Sequence, residues 1–243
     1  MGSILIPAMV AQGYDAGFSS ALSAISGSLG TVIPPSITFI IYGMITGESI
    51  GDLFLSGIVP GLIFGFMLCI MVFIKSKKNG WKGETQRESL KEIGRLFLDT
   101  IWGLLSPVIV LGGIYSGLFT PTEAAAVAVV YSLIVGIFIY KELRLAELKE
   151  TLFSTAKTTG MILLIIMNAG IFSWVLTQQG IAASLTEMAL ALTDNKYIML
   201  VIINIVFLCA GCVMDNTSAL YILVPIIMPI AKALDINMIQ LGV

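Results

Sequence analysis

The stretch "GSLGTVIPPS", residues 27–36, interrupts one of the most apolar parts of the chain. The stretches on either side, "GFSSALSAIS" (17–26) and "ITFIIYGMI" (37–45), carry no charge. As one helix, residues 16–46 would be roughly 46 Å long, which exceeds the roughly 30 Å hydrocarbon core of a bilayer. Proline removes a backbone donor and clashes with the preceding helical turn, and glycine weakens a helix. The paired prolines and the two glycines therefore predict two half-helices whose tips meet inside a membrane.

The composition indicates a membrane protein. The 243 residues are 57% hydrophobic and 12% charged, whereas about 25% of the residues of a typical soluble domain are charged. A membrane-spanning helix needs about 20 apolar residues. Stretches of about this length lie at 58–74, 101–119, 124–140, 159–176 and 197–214. The sequence thus predicts an all-α polytopic membrane protein.

The basic residues indicate which segments face the cytoplasm. Of the 13 Lys and Arg residues, seven lie between Lys75 and Arg95, and four lie between Lys141 and Lys157. The positive-inside rule places both groups on the cytoplasmic side. Nucleic acid is disfavoured as a partner because acidic residues interleave with the first basic group, namely Glu84, Glu88 and Glu92.

These charges divide a single membrane domain, 1–243, into five segments. Each basic segment is predicted to be an amphipathic cytoplasmic arm, and the apolar segment between the arms is predicted to be a transmembrane hairpin. The first outer segment is predicted to be the end of a first repeat, with the broken helix at 27–36. The last is predicted to be part of a second repeat, with a polar tip at 215–218. In chain order the segments are 1–74, the arm 75–100, the hairpin 101–140, the arm 141–158 and 159–243.

A second polar interruption is "DNTS", residues 215–218, within apolar sequence. Asp215 is the only acidic residue in the apolar region 197–233, and ionisable groups within a membrane are candidates for function. A local alternative is that Asp215 caps a helix that begins near Thr217. The two roles are compatible, because a helix cap within the membrane is itself the tip of a half-helix.

The two interruptions together predict a buried polar site. Unwound backbone in a membrane persists only where it lines a cavity or the protein interior. The N-terminal ends of half-helices favour anionic substrates, and free carbonyl groups coordinate Na⁺. For the first interruption the alternative is an ordinary proline kink. The candidate ion- and substrate-binding residues are Ser26, Gly27, Ser28, Gly30, Thr31, Pro34, Pro35, Ser36, Asp215, Asn216, Thr217 and Ser218. Those predicted to hold Na⁺ are Ser28, Gly30, Asp215 and Thr217.

Two further patterns are structural. In "TPTE" (120–123), Thr120, Pro121 and Glu123 match a helix start with a capping box and proline at the first position. Residues 3–22 weakly resemble residues 221–242 with a two-residue offset, which predicts an internal repeat. In that similarity Pro7 corresponds to Pro225.

Enzymatic activity is not expected. The chain has no histidine, which removes the commonest general base and metal ligand. It also lacks a P-loop, so ATP hydrolysis by this chain is not predicted. The pair in "CAGC" (209–212) is interpreted as small residues in a packed membrane helix, although its spacing is that of a redox motif.

Three stretches in this order resemble the large membrane subunit of tripartite ATP-independent periplasmic (TRAP) transporters. They are "GSLGTVIPPSITFIIYGMITGESIGDLFLSGIVPG" (27–61), "GLFTPTEAAAVAVVYSL" (117–133) and "MDNTSALYILVPIIMPIAKALDI" (214–236). The resemblance runs through the whole chain. It implies an ion-transporter-like elevator fold with inverted repeats and discontinuous helices, present here in part and truncated at both ends.

The resemblance also implies a function. Such a subunit would be a multi-pass protein of the bacterial inner membrane that imports organic acids, such as C4-dicarboxylates or sialic acid, with Na⁺ as the coupling ion and no other cofactor. Its partners would be a small four-helix membrane subunit, a periplasmic solute-binding protein, the carboxylate substrate and the lipid bilayer. Residues 27–36 would form the unwound half of one Na⁺ site, and residues 215–218 would lie near the other. The alternative is a non-transporting fragment of such a permease.

Overall fold

The computed structural model describes residues 2–81, 89–141 and 143–243. Within these ranges all regular structure is helical, which confirms the all-α prediction. A π-helical turn at Val135–Ile139 follows the sixth α-helix. The α-helices are α1 (Gly2–Ala11), α2 (Ala16–Val32), α3 (Ile37–Thr46), α4 (Ile50–Asn79), α5 (Leu90–Tyr115), α6 (Pro121–Ile134), α7 (Leu145–Gln178), α8 (Ile181–Leu192), α9 (Lys196–Gly211), α10 (Asn216–Ala233) and α11 (Met238–Gly242).

Within the described residues, five helical segments are long and apolar enough to cross a membrane, and a sixth is added if α2 and α3 form one broken span. The segments are Ile50–Asn79, Lys91–Tyr115, Pro121–Ile139, Glu147–Gln178 and Asn216–Ala233. They contain most of each of the first four predicted spans. The fifth predicted span, 197–214, is wrong in extent. Helix α9 has 16 residues and ends at Gly211, so it rises only about 24 Å.

The predicted arms continue into the spans that follow them. Helix α5 runs unbroken from Leu90 into the predicted hairpin, and α7 runs unbroken from Leu145 to Gln178. The cytoplasmic position of the arms stays a prediction. Residues 82–88 of the first arm, with Glu84 and Glu88, and residue 142 of the second arm lie outside the described residues.

The chain divides into two compact units. The first comprises Met1–Ser36 and Phe54–Val135. In it α1 packs against α2, and α5 packs against α6. The Tyr131 hydroxyl on α6 donates a hydrogen bond of 2.6 Å to the Trp102 carbonyl on α5. This contact supports the predicted pairing of these two helices.

The start of α6 confirms the predicted capping box. The Thr120 hydroxyl oxygen accepts a hydrogen bond from the Glu123 backbone N–H at 3.3 Å. In return, a Glu123 carboxylate oxygen accepts from the Thr120 backbone N–H at 2.8 Å. Pro121 occupies the first helical position, where its missing N–H leaves no hydrogen bond unmade.

The second unit comprises Ile37–Leu53 and Gly136–Val243, and α10 is its central helix. Helix α10 contacts α3, α7, α8, α9 and α11. Its buried residues follow helical spacing, so one face packs against its neighbours; they are Ala219, Leu220, Val224, Ile227, Ile230 and Ala231. Lipid is as apolar as these side chains, so close packing rather than removal from water stabilises this arrangement.

A tight turn joins α1 to α2. After α1, the Tyr14 N–H donates to the Met9 carbonyl at 3.1 Å, Gly13 has a φ of +87°, and Asp15 caps α2. These features are typical of a Schellman-type helix end.

The turn after α10 has the same backbone pattern. The Ile236 N–H donates to the Ala231 carbonyl at 2.9 Å, Asp235 has a φ of +51°, and Asn237 caps α11. Counted back from the caps, the residue equivalent to Pro7 is Pro229. Helix ends of this type also follow α4, at Gly80, and α5, at Gly117. The turn is therefore no evidence for the predicted repeat, which stays a prediction.

Candidate functional site

The first interruption is shorter than predicted. Helix α2 continues through Gly27 and Gly30 to Val32, and only residues 33–36 leave the helix. Each glycine costs a helix only about 1 kcal/mol relative to alanine, so the two glycines do not unwind it. A residue before proline is driven out of the helical region, and Ile33 is extended with φ −80° and ψ 124°. The prolines, and not the glycines, therefore determine where α2 ends.

The prolines remove the partners of two carbonyl groups at the end of α2. In a continuing helix the Gly30 and Thr31 carbonyls would accept from the N–H groups of residues 34 and 35, which proline lacks. The Thr31 carbonyl is satisfied by the Ser36 hydroxyl, which donates at 2.6 Å. Within the described part of the chain, the Gly30 carbonyl accepts no hydrogen bond. It is therefore one available backbone ligand of this interruption, and the Val32 and Ile33 carbonyls also accept no hydrogen bond from described residues.

The hydroxyl groups near this break bond mainly to α2 itself. Ser26 donates to the Leu22 carbonyl at 2.6 Å, and Thr31 donates to the Ser28 carbonyl at 2.7 Å. These bonds fit the proline-kink alternative, in which hydroxyl groups satisfy the end of the helix. Each hydroxyl oxygen still has lone pairs with which it can coordinate a cation.

Both glycines of the first interruption lie in open space. A Cβ atom built at Gly27 or Gly30 would meet no atom within 4 Å in the described part of the chain. Packing within these residues thus gives no reason for glycine at either position. Open space beside the free Gly30 carbonyl is what a ligand or another element needs to approach it.

The second interruption also lies earlier than predicted. Helix α9 ends at Gly211 and α10 begins at Asn216, so the non-helical residues are 212–215. Asn216, Thr217 and Ser218 form the first turn of α10. They adopt the helix because Asp215 caps it. One carboxylate oxygen accepts from the Ser218 backbone N–H at 3.1 Å, and the other accepts from the Ser218 hydroxyl at 2.6 Å.

The predicted capping role of Asp215 is confirmed, but it leaves the charge of the carboxylate uncompensated. Among the described residues, the ion pair found within 4.0 Å is Arg95–Asp99, on the exposed start of α5. Asp215 is exposed, and its oxygens keep lone pairs beyond those used by Ser218. Its carboxylate can therefore serve as a cation ligand while it caps α10.

A hydrogen bond joins the second interruption to the helix that follows the first. The Asn216 side-chain amide donates to the Thr38 hydroxyl oxygen at 3.0 Å. Thr38 lies in the first turn of α3, so the N-terminal ends of α3 and α10 lie side by side within the second unit. Thr38 was not among the predicted site residues. Its position two residues after the proline break was the only available signal.

A cavity of about 210 Å³ lies further along the same two helices. Tyr42 on α3, Leu220 and Val224 on α10, and Asn204 on α9 are among the residues that line it. The Tyr42 hydroxyl donates to the Met238 carbonyl at 2.6 Å, and its side chain is buried. The Asn204 side-chain amide donates to the Leu200 carbonyl within its own helix at 2.9 Å.

The ligands that these interruptions offer are all oxygens. Within the described residues there is no group of three or more His, Cys, Asp or Glu side chains that could hold a metal ion. Carboxylate, carbonyl and hydroxyl oxygens suit hard cations rather than soft transition metals.

A protein-family model described as "Tripartite ATP-independent periplasmic transporter, DctM component" matches residues 1–243. The chain belongs to this family. DctM-family permeases are inner-membrane proteins, which agrees with the several apolar helices able to span a membrane. The predicted family and location are thereby confirmed.

Curated relatives of this DctM-family chain differ in the compound they are named for. The C4-dicarboxylate TRAP transporter large permease protein of Pseudomonas aeruginosa is 42% identical over 243 residues. The isethionate TRAP transporter permease protein of Oleidesulfovibrio alaskensis is 40% identical over 243 residues, and the sialic acid TRAP transporter large permease protein of Vibrio cholerae is 36% identical over 246 residues. All three matches cover the whole of this chain. The chain spans 57%, 38% and 57% of these proteins, respectively.

Proposed function

We propose that the chain is the large permease subunit of a secondary active transporter that imports an organic acid across the inner membrane, coupled to Na⁺. The observation that carries the proposal is the pair of polar interruptions in otherwise apolar helices. One leaves the Gly30 carbonyl without a hydrogen-bond donor among the described residues, and the other leaves the Asp215 carboxylate without a basic partner there. Oxygen ligands of this kind at broken membrane helices are typical of sites for coupling ions.

The substrate is proposed to be a carboxylate. C4-dicarboxylate and sialic acid, for which two relatives are named, carry carboxylate groups. The adjacent N-terminal ends of α3 and α10 favour negative charge, because the helix dipole is positive there. A bound Na⁺ near Asp215 would offset the charge of an anionic substrate, so that each ligand would strengthen the binding of the other.

Two protein partners are proposed from the family description. A periplasmic solute-binding protein would deliver the substrate, and a small membrane subunit with four helices would complete the complex. The chain spans about half the length of most of these relatives. Transport is therefore proposed for the protein encoded by the longest reading frame that contains these 243 residues. A non-transporting fragment is the alternative.

The decisive experiment separates the two roles of Asp215. Asparagine caps helices as well as aspartate does, so Asp215→Asn should keep the capped α10 but remove the charge, whereas Asp215→Ala removes both. Uptake of radiolabelled carboxylates by both variants is measured in proteoliposomes. These contain the protein encoded by the longest reading frame and its partner membrane subunit, and the assay supplies a Na⁺ gradient and the cognate binding protein.

We expect unmodified protein to show Na⁺-dependent uptake, and Asp215→Asn to lose it while its melting temperature stays near that of the unmodified protein. Gly30→Val combined with Pro35→Ala should also abolish uptake with expression intact. Normal uptake by Asp215→Asn would show that Asp215 acts only as a helix cap and is not a Na⁺ ligand. A lack of uptake by the unmodified protein would favour the alternative that the chain is a non-transporting fragment of a permease.

A further inference from the structure

Residues 215–218 have one side-chain link to a neighbouring helix. Asp215 bonds to Ser218 within the turn itself. Among the described residues, the hydrogen bond from Asn216 to Thr38 is the only one that joins this turn to another helix. Apolar burial on α10 starts just beyond, at Ala219 and Leu220. The first turn of α10 therefore depends on Thr38 for its polar contact with α3.

Helices α3 and α10 run parallel from this hydrogen bond. Thr38 and Asn216 meet at their N-terminal ends, and one turn later Tyr42 and Leu220 line the same cavity. Both helices carry buried residues, and the two helices are in contact. The hydrogen bond thus joins α3 and α10 at the exposed end of their contact.

We propose that Thr38 is a positioning residue for the cation site at Asp215, an inference that rests on the proposed sodium coupling. Asn216 directly follows Asp215, so a bond that fixes Asn216 against α3 also fixes the position of the carboxylate. Without the bond, the first turn of α10 spends part of the time displaced from α3. Suppose that Na⁺ binds only when this turn is in the fixed position. Its apparent affinity is then the intrinsic affinity multiplied by the fraction of protein molecules in that position.

The test uses Thr38→Val, which removes the hydroxyl and keeps the shape of the side chain. Thr46→Val is the matched control, since Thr46 lies on the same helix and donates at 2.9 Å to the Tyr42 carbonyl within that helix. Thr38→Ser restores a hydroxyl. The melting temperature of the protein encoded by the longest reading frame is measured in detergent at increasing NaCl concentrations. Choline chloride is added to keep the ionic strength constant.

For Thr38→Val we expect the Na⁺ concentration that gives half-maximal stabilisation to rise about two- to tenfold, which is the effect of losing one hydrogen bond. Asn216→Ala should raise it equally, and the double variant should raise it no further. Thr38→Ser and Thr46→Val should leave it unchanged.

A merely structural role for Thr38 would lower the melting temperature without Na⁺ and leave the Na⁺ midpoint unchanged, and this result would overturn the inference. If the unmodified protein responds equally to NaCl and choline chloride, the proposed sodium coupling is itself wrong and this inference is overturned with it.

Discussion

Replacing Pro34 with alanine tests whether the free Gly30 carbonyl is an ion ligand. Residue 34 is four positions after Gly30, so an alanine there supplies the N–H group that a helical carbonyl at Gly30 would accept. The substitution gives the carbonyl a partner within the chain and lets α2 extend past Val32. An ion that uses this carbonyl must then break the new hydrogen bond.

The size of the effect follows from the energies of the two competing states. Proline inside a helix costs about 3 kcal/mol, so its removal allows this one hydrogen bond to form, while the retained Pro35 stops the helix there. The new hydrogen bond contributes about 0.5–1.5 kcal/mol net. Breaking it on ion binding should weaken Na⁺ affinity about two- to tenfold. Pro34 is buried, so a cavity will also lower the melting temperature, but this loss is the same with and without Na⁺.

Pro35→Ala is the matched control. It supplies an N–H toward the Thr31 carbonyl, which already accepts from the Ser36 hydroxyl. The assay is thermal unfolding against NaCl at constant ionic strength, since a ligand that binds only the folded state raises its stability with concentration. Pro34→Ala should raise the Na⁺ midpoint, and Pro35→Ala should not. An unchanged midpoint for Pro34→Ala would show that the Gly30 carbonyl is not a ligand.

Two further predictions concern stability, and both are checked by thermal unfolding in detergent. Gly113→Ala should destabilise the α5–α6 pair by about 1–3 kcal/mol through overpacking, because its Cβ atom would overlap the Phe119 ring. Gly112→Ala should not, because a Cβ atom there meets no described atom within 4 Å, and equal losses would contradict the packing explanation. Thr120→Ala should cost about 0.5–2 kcal/mol by removing the cap of α6, whereas Thr120→Ser should cost less, and no loss for alanine would refute the cap's contribution.

The sequence predicted best the features that depend on neighbouring residues. The capping box at Thr120 and the cap at Asp215 involve residues three positions apart, and both are present. The apolar spans were found because their composition suffices to identify them. The end of the span predicted at 197–214 was placed too late because its last apolar residues lie beyond Gly211, where the helix has already stopped.

Features that depend on tertiary context were not predictable in the same way. The break at 27–36 was overestimated because glycine weakens a helix on average, whereas this helix tolerates Gly27 and Gly30 and yields only at the prolines. The bond between Thr38 and Asn216 joins residues 178 positions apart. Nothing in the local sequence around either residue specifies that partner.

The recurring turn after α1 and α10 has a consequence for comparing the two segments. Pro225 and Pro229 are four positions apart, which is close to the 3.6 residues of one helical turn. Sliding one segment by that amount turns the helix by only about 40°, so both alignments match nearly the same helix face. Aligning the left-handed residues Gly13 and Asp235 instead places Pro7 on Pro229. A residue matched by letter similarity therefore lies on nearly the same helix face as one matched by the turn, but one helical turn away from it.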